Sequence, residues 1–270
     1  MSSKTFITIS KKECLTVYKN ILEHSEQKWE SGKQLAKIND FGGATSLAII
    51  SVEELVKSLI IFLDGKGFEF RSIKGINTLF ENHKIRYLLA YAMFSMGIFG
   101  DELMKFLKKT RENPQEILNL IEEKKNNIVS FEKKIKFYAL KKIVLLKREF
   151  EWFAKVDIFR QDGFYCDYVE QLKNPITISP IDYEQVIVRL EKVRTVGKGI
   201  IEAFDTTDEI SNEQFAQIKR DFKQKKYYEK FSKALATVRQ TRENPFDLIK
   251  KNISDSFPSL ALVYNECLSH

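Results

Sequence analysis

SLAIISVEELVKSLIIFLDG, residues 46–65, is apolar enough to run through the middle of a folded domain, yet it carries Glu53, Glu54 and Lys57 within five positions. At 100° per residue, Ala44, Ala48, Val52, Leu55, Val56, Leu59, Ile60, Phe62 and Leu63 fill one broad arc. The opposite arc holds the three charges and several serines, but also Leu47, Ile50 and Ile61. A helix that is apolar almost all round lies at the centre of its bundle. Its charged side chains are then expected to be at least partly buried, and buried charges must be paired and hydrogen-bonded. Lys57 stands one turn from both Glu53 (i,i+4) and Glu54 (i,i+3), so one ammonium can serve two carboxylates. The negative charge left over requires a cation from a neighbouring helix.

The following stretch, INTLFENHKIRYLLAYAMF (76–94), supplies candidates. Ile76, Leu79, Phe80, His83, Tyr87, Ala90, Tyr91 and Phe94 recur at helical spacing and form one stripe. His83 is therefore on the inward face, with Lys84 and Arg86 beside it. The turn at Asp64-Gly65-Lys66-Gly67 is short enough to lay the two helices side by side, so a Glu/Lys/His cluster can form between them. Such a cluster reads either as a buried ion-pair network with a satisfied core histidine, or as a polar centre for catalysis or ligand binding.

The rest of the chain reads as helix. Five prolines and eleven glycines in 270 residues leave few breakers. Ser10-Lys11-Lys12-Glu13 is a capping box, Ser211-Asn212-Glu213-Gln214 repeats its logic, and Ser179-Pro180-Ile181-Asp182 joins a cap to a first-turn proline and acid. TRENP occurs at 110–114 and at 241–245. Both copies read as helix starts, with Asn113 and Asn244 as caps. The expected helices are 11–38, 43–63, 73–96, 101–110, 114–125, 127–159, 180–204, 211–239, 245–252 and 258–268, with a further turn at Gly97-Ile98-Phe99-Gly100. The sequence therefore predicts an all-α fold: a tail over 1–9 and a single all-helical domain over 10–270. Within that domain lie a core at about 10–160, an irregular loop at 161–179 and C-terminal helices at 180–270. The loop is rich in aromatics and too long for an idle connector, and a short strand in FYCDYV is not excluded.

Composition narrows the function classes. Lys and Arg number 44 against 37 Asp and Glu, a net +7 that permits nucleic-acid binding without requiring it. Cys14, Cys166 and Cys267 are far apart, with no C-x-x-C pair, which fits a reducing cytoplasm and gives no zinc site. MSSKTFITISKKE has no apolar core, so no signal peptide is expected. Residues 46–65 are the best membrane-span candidate, but three central charges cost about 2.5–3.5 kcal/mol each on insertion. No membrane association is expected. There is no Gly-rich phosphate loop, no G-x-S-x-G and no H-E-x-x-H, so no metal and no cofactor is expected. From Lys124 to Arg148 nine basic residues face Glu132 alone, with aromatics and aliphatics interleaved. That stretch reads as a solvated helix face or as a phosphate-tracking surface for RNA or the ribosome. A second basic run spans 219–226, and His24 reads as a surface residue.

Three patches in order resemble a known family. Ala44-x3-Ala48-x4-Glu53-Glu54-x2-Lys57, then Phe80-x2-His83-Lys84-x-Arg86, then RQDGFYCDYVEQLKNP from Arg160, with Gly163, Tyr165, Asp167 and Pro175, look like the AbiV family of bacterial abortive-infection proteins, in the HEPN superfamily. The resemblance covers about residues 10–200 and implies a HEPN-like helical bundle with added C-terminal helices. It implies a cytoplasmic antiphage effector, toxin-like in halting translation or growth of the infected cell. It further implies a homodimer, RNA or the ribosome as target, and a phage-encoded activator as partner. Relatives are commonly metal-independent ribonucleases with Arg, four to six residues, then His. None of His24, His83 or His270 has an arginine at that distance. If the chain cuts RNA, the catalytic set implied is His83, Glu53, Glu54, Lys57, Lys84 and Arg86, with Glu54 orienting the histidine or the cation. Arg160, Asp162, Tyr165 and Asp167 are the binding set. The alternative is a non-enzymatic module whose buried charges fix helix register and whose loop at 161–179 docks a phage or host protein.

Overall fold

The computed structural model describes residues 5–112, 128–165, 167–169, 171–173 and 178–205, then 213, 216–220, 229, 232–233, 235–237 and 244–248; side chains within 102–144 and 166–177 are not described. The helices are α1 (Lys11–Lys37), α2 (Phe41–Gly65), α3 (Asn77–Glu81), α4 (His83–Glu112), α5 (Ile128–Asp162) and α6 (Pro180–Asp205). A single 3-10 turn, Phe70–Ser72, precedes α3. Between α5 and α6 lies a hairpin of β1 (Asp167–Val169) and β2 (Gln171–Lys173), antiparallel, with Tyr168 opposite Leu172. The fold class is all-α, as the breaker-poor sequence implies.

α2 is the axis of the bundle. It packs against α1, α4, α5 and α6, and most of its residues are buried, including Ile49, Val52, Leu55, Ile61 and Phe62. Each such side chain contributes about 1.5–3 kcal/mol by leaving water. α1 folds back on α2 through a tight turn at Asn39, whose φ is 64°, a conformation asparagine tolerates better than most residues. Asp40 caps α2 by accepting a bond from the Gly43 amide at 2.9 Å. The Ser10 box is reciprocal, and so is the one at Ser179, where the Asp182 carboxylate accepts from the Ser179 amide and the Ser179 hydroxyl accepts from the Asp182 amide.

α6 is pinned by a second polar cluster. Arg194, buried, donates to Ser51 Oγ at 2.7 Å and to Glu26 at 2.8 Å, and lies 4.2 Å over the Trp29 ring. Further along the chain, Phe246 is buried against Phe150, and Leu235 joins Ile60, Ile73, Ile76, Leu79 and Ile85 in a satellite cluster. Asn244 accepts from the Phe246 amide at 3.2 Å, as the second TRENP predicts; Asn113, Ser211 and the expected helices at 114–125 and 258–268 lie outside the described residues.

Three expectations about element boundaries change. The helix expected at 73–96 is two helices, broken at Asn82, whose backbone is extended and whose side chain accepts from the Lys84 amide to start α4. The turn expected at Gly97–Gly100 is helix, so 101–110 continues α4. Gly97 serves close packing instead: a Cβ there would sit 2.9 Å from Lys192 Cγ and 3.0 Å from Val196 Cγ2 on α6. At the loop expected over 161–179, α5 runs on to Asp162, and the hairpin follows. No helix among the described residues is long and apolar enough to cross a membrane.

Candidate functional site

Glu53 is the centre of the site. It sits two turns along α2 from Ser46, on the side facing α4 and α5, and is 3% exposed. Its two oxygens have separate sets of donors. Oε2 accepts from Arg86 Nη2 at 2.9 Å and Nε at 3.1 Å, and lies 2.6 Å from His83 Nδ1. Oε1 accepts from the Tyr87 hydroxyl at 2.5 Å, with Arg160 Nε at 3.7 Å. A buried carboxylate is normally driven toward its neutral form. Burial here pushes the Glu53 carboxyl up, but the His83 bond, the Arg86 charge and the Tyr87 hydroxyl outweigh it and hold the group at about 2.

α4 brings three of these partners to one place because His83, Arg86 and Tyr87 are i, i+3 and i+4. Arg86 also donates through Nη1 to the carbonyls of Leu79 and Phe80 at 2.9 and 3.0 Å, so it closes the end of α3 while it neutralises Glu53. α5 supplies the outer layer. Arg160 donates to Asp157 Oδ1 at 2.9 Å and to the Tyr87 hydroxyl at 3.2 Å, and Tyr87 OH lies 3.1 Å from Asp157 Oδ1. Tyr87 has one proton, and the shorter distance assigns it to Glu53. Burial, then the neighbouring Glu53 charge, pushes the Tyr87 phenol well up, so it remains a neutral donor.

The charges balance without the histidine: Glu53 and Asp157 against Arg86 and Arg160. His83 Nδ1 lies between Glu53 Oε2 at 2.6 Å and Arg86 Nη2 at 2.8 Å, so this edge of the ring is held by both members of the buried pair. The His83 side chain is 44% exposed, whereas that of Glu53 is 4% exposed. An imidazole whose one nitrogen is fixed by a buried carboxylate and whose ring reaches solvent is oriented for proton transfer.

The structure brings together Glu53, His83, Arg86 and Arg160 of the sequence candidates. It separates others. Lys57 bonds Glu54 at 2.6 Å rather than Glu53, and the two form their own half-buried pair; Glu54 therefore does not orient the histidine, which Glu53 does. Glu54 sits 100° round the helix from Glu53 and faces elsewhere. Lys84 is exposed beside His83, and its amide, not its ammonium, is tied to Asn82. Asp162 ends α5, Tyr165 is 62% exposed on the turn after it, and Asp167 is in β1 with its side chain undescribed. His24 is exposed on α1. Of the basic stretch at 124–148, the backbone from 128 is helical and the side chains to 144 are undescribed. Sequence reasoning missed two members. Tyr87 read as one more core aromatic, although a buried phenol needs a partner. Asp157 stands i−3 from Arg160 on a helix, the spacing of an ion pair, and could have been found by it.

Among the described residues no group of three His, Cys, Asp or Glu side chains is placed to hold a metal ion. A search of the curated proteins and a search of the solved structures each returned no significant match. The family model described as AbiV, of the HEPN group, matches residues 13–194, from the first turn of α1 into α6 and across every residue of the site. That is well over half of the chain, which belongs to the AbiV family of HEPN proteins and so to abortive-infection defence against phage.

Proposed function

We propose that the chain stops the infected cell by cutting RNA at His83, with Glu53 orienting the ring and Arg160 and Lys84 offering positive charge to the attacked phosphate. The observation that carries this is the contrast in exposure between His83 and its buried carboxylate partner. A histidine kept only for packing would be covered; this one is held rigidly at Nδ1 and reaches solvent. Histidine both takes and gives protons near neutral pH. In the reaction Nε2 takes the proton of a ribose 2′-hydroxyl, whose oxygen attacks the adjacent phosphorus while the P–O5′ bond breaks; the leaving 5′-oxygen takes a proton from water, and the imidazolium returns its proton to solvent. The products are a 2′,3′-cyclic phosphate and a 5′-hydroxyl. DNA lacks the nucleophile and is not a substrate. Homodimerisation and activation by a phage-encoded protein belong to the same reading.

The test uses purified full chain, cellular RNA and extract of phage-infected cells. Wild type is expected to release 2′,3′-cyclic phosphate ends. His83→Ala and His83→Asn are both expected to lose at least a hundredfold of that rate with helical circular dichroism unchanged. His83→Asn is the sharper variant: its amide can still donate to Glu53, but it offers no basic nitrogen. Activity retained by His83→Asn and lost by His83→Ala would reduce the histidine to a pin. No cleavage by any form would leave the non-enzymatic module as the reading, which the internally satisfied network around Glu53 favours.

A further inference from the structure

The geometry points to a protein-docking surface at the end of the bundle where α1 gives way to α2 and α5 gives way to α6, and to a basic, apolar peptide segment of a partner protein as its occupant. Four large apolar side chains are exposed there: Ile38 (72%), Ile181 (67%), Tyr165 (62%) and Phe164 (39%). They belong to separate elements that converge on the start of α2. Ile38 stands three residues before Phe41, whose ring lies 5.7 Å from Tyr183, two residues after Ile181. Gly163, just before the aromatic pair, is packed so closely on α2 that a Cβ would lie 2.3 Å from the Gly42 carbonyl oxygen.

The aromatics are exposed but not loose. Ser46 Oγ donates to the Arg160 carbonyl at 2.8 Å, and the amides of Phe164 and Tyr165 both donate to the Gln161 carbonyl, at 3.0 and 2.9 Å. Their rings meet edge to face at 6.4 Å. A fixed pair of exposed aromatics costs little entropy on binding and is the residue type that anchors protein interfaces. Immediately after them comes the hairpin. Among the described residues β1 and β2 pair only with each other, so each keeps one edge to which an extended segment can add.

Charge selects the occupant. Among the described side chains at 161–165 and 178–184 there are three acids, Asp162, Asp182 and Glu184, and no base. That is a local net −3 within a chain of net +7. Lys37 and Asp40 at the neighbouring turn cancel. A polyanion such as RNA is repelled here, whereas a cationic segment with apolar side chains is attracted and oriented. The surface is independent of the chemistry at His83.

The full chain is screened against a random library of twelve-residue peptides, with Phe164→Ala/Tyr165→Ala as the counter-selection and Ile181→Asp as a second variant on α6. Peptides preferring the wild type are expected to carry net positive charge and to alternate apolar residues. The tightest of them is expected to bind the wild type at least tenfold more tightly than either variant by fluorescence anisotropy, with equal thermal unfolding of all three proteins. Enrichment of acidic or uncharged peptides, absence of any peptide that prefers the wild type, or displacement of the selected peptide by single-stranded RNA would overturn the assignment.

Discussion

Replacing Glu53 by glutamine tests the centre of the site with the least change of shape. The amide can keep one oxygen toward Arg86 and His83 while its NH2 turns to Tyr87, whose hydroxyl then rotates toward Asp157, 3.1 Å away. What is lost is the charge. Arg86 is 3% exposed and Glu53 is the carboxylate it bonds, so the variant leaves a buried guanidinium without its counterion. Breaking a buried pair from one side costs about 3–5 kcal/mol. Linkage gives an independent figure: a carboxyl held at about 2 rather than 4.5 corresponds to about 3 kcal/mol of stability. The folded value is depressed, so this contribution is complete above about pH 4.5 and is lost as the pH falls toward 2. Urea unfolding of wild type and Glu53→Gln is therefore expected to differ by about 3 kcal/mol at pH 7, with the gap closing between pH 4.5 and 2. A gap under about 1 kcal/mol at pH 7 would mean that Glu53 is not the counterion the geometry makes it. A gap that stays constant down to pH 2.5 would show that its size does not come from the charge.

His83→Ala removes a half-exposed ring and leaves Glu53 its bonds from Arg86 and Tyr87, so unfolding free energy is expected to fall by less than about 1.5 kcal/mol, within the net worth of one hydrogen bond; a larger loss in urea would tie the histidine to stability. Arg194→Met removes the guanidinium from over the Trp29 ring together with its bonds to Ser51 and Glu26; a loss of about 2–3 kcal/mol is expected, read by the same assay, because hydrogen bonds from charged groups contribute more than neutral ones. Gly163→Ala places a methyl 2.2 Å from Ser46 Oγ and against the Gly42 backbone; overpacking of this kind costs about 1–3 kcal/mol, and limited proteolysis is expected to cut between α5 and α6 sooner than in the wild type. Ser10→Ala and Ser179→Ala each remove one cap, for about 1 kcal/mol apiece. Because the two caps start different helices, their effects are expected to add in the double variant.

The bundle's axis was legible in the sequence because burial on every side of α2 leaves an apolar run with no polar face, and because charges in such a run need partners. The requirement for a cation from the next helix follows from the same reasoning, and Arg86 meets it. Which charge meets which was not legible. Glu53 and Glu54 differ by 100° of rotation, and only the position of α4 decides that Glu53 takes Arg86 while Lys57 is left to Glu54. Arg160 reaches the centre from 107 positions away in the chain, a distance over which spacing carries no information. Gly97 shows the opposite error: a glycine read as a breaker is a contact between α4 and α6. Asn82 was a cap hidden inside an apolar stripe, because the stripe keeps its period across the break between α3 and α4.

The arrangement around Glu53 also bears on why charges persist in α2, whose residues are mostly buried. Two acids and two arginines already neutralise one another, and Arg86 closes the carbonyls of α3 at the same time. A centre kept only to fix the register of α2, α4 and α5 would be complete with those four groups and Tyr87. The formal charges of the cluster balance without His83, and its side chain is 44% exposed. What it gains from the cluster is a fixed direction, because Glu53 Oε2 and Arg86 Nη2 both hold Nδ1. What the cluster gains from it is one of the bonds that keep Glu53 ionised, and an imidazole that reaches the surface beside Lys84. The histidine therefore joins the two levels of the site: it is bonded to the buried ion pair at one nitrogen and open to solvent on the rest of its ring, which a group kept only to fix helix register would not need to be.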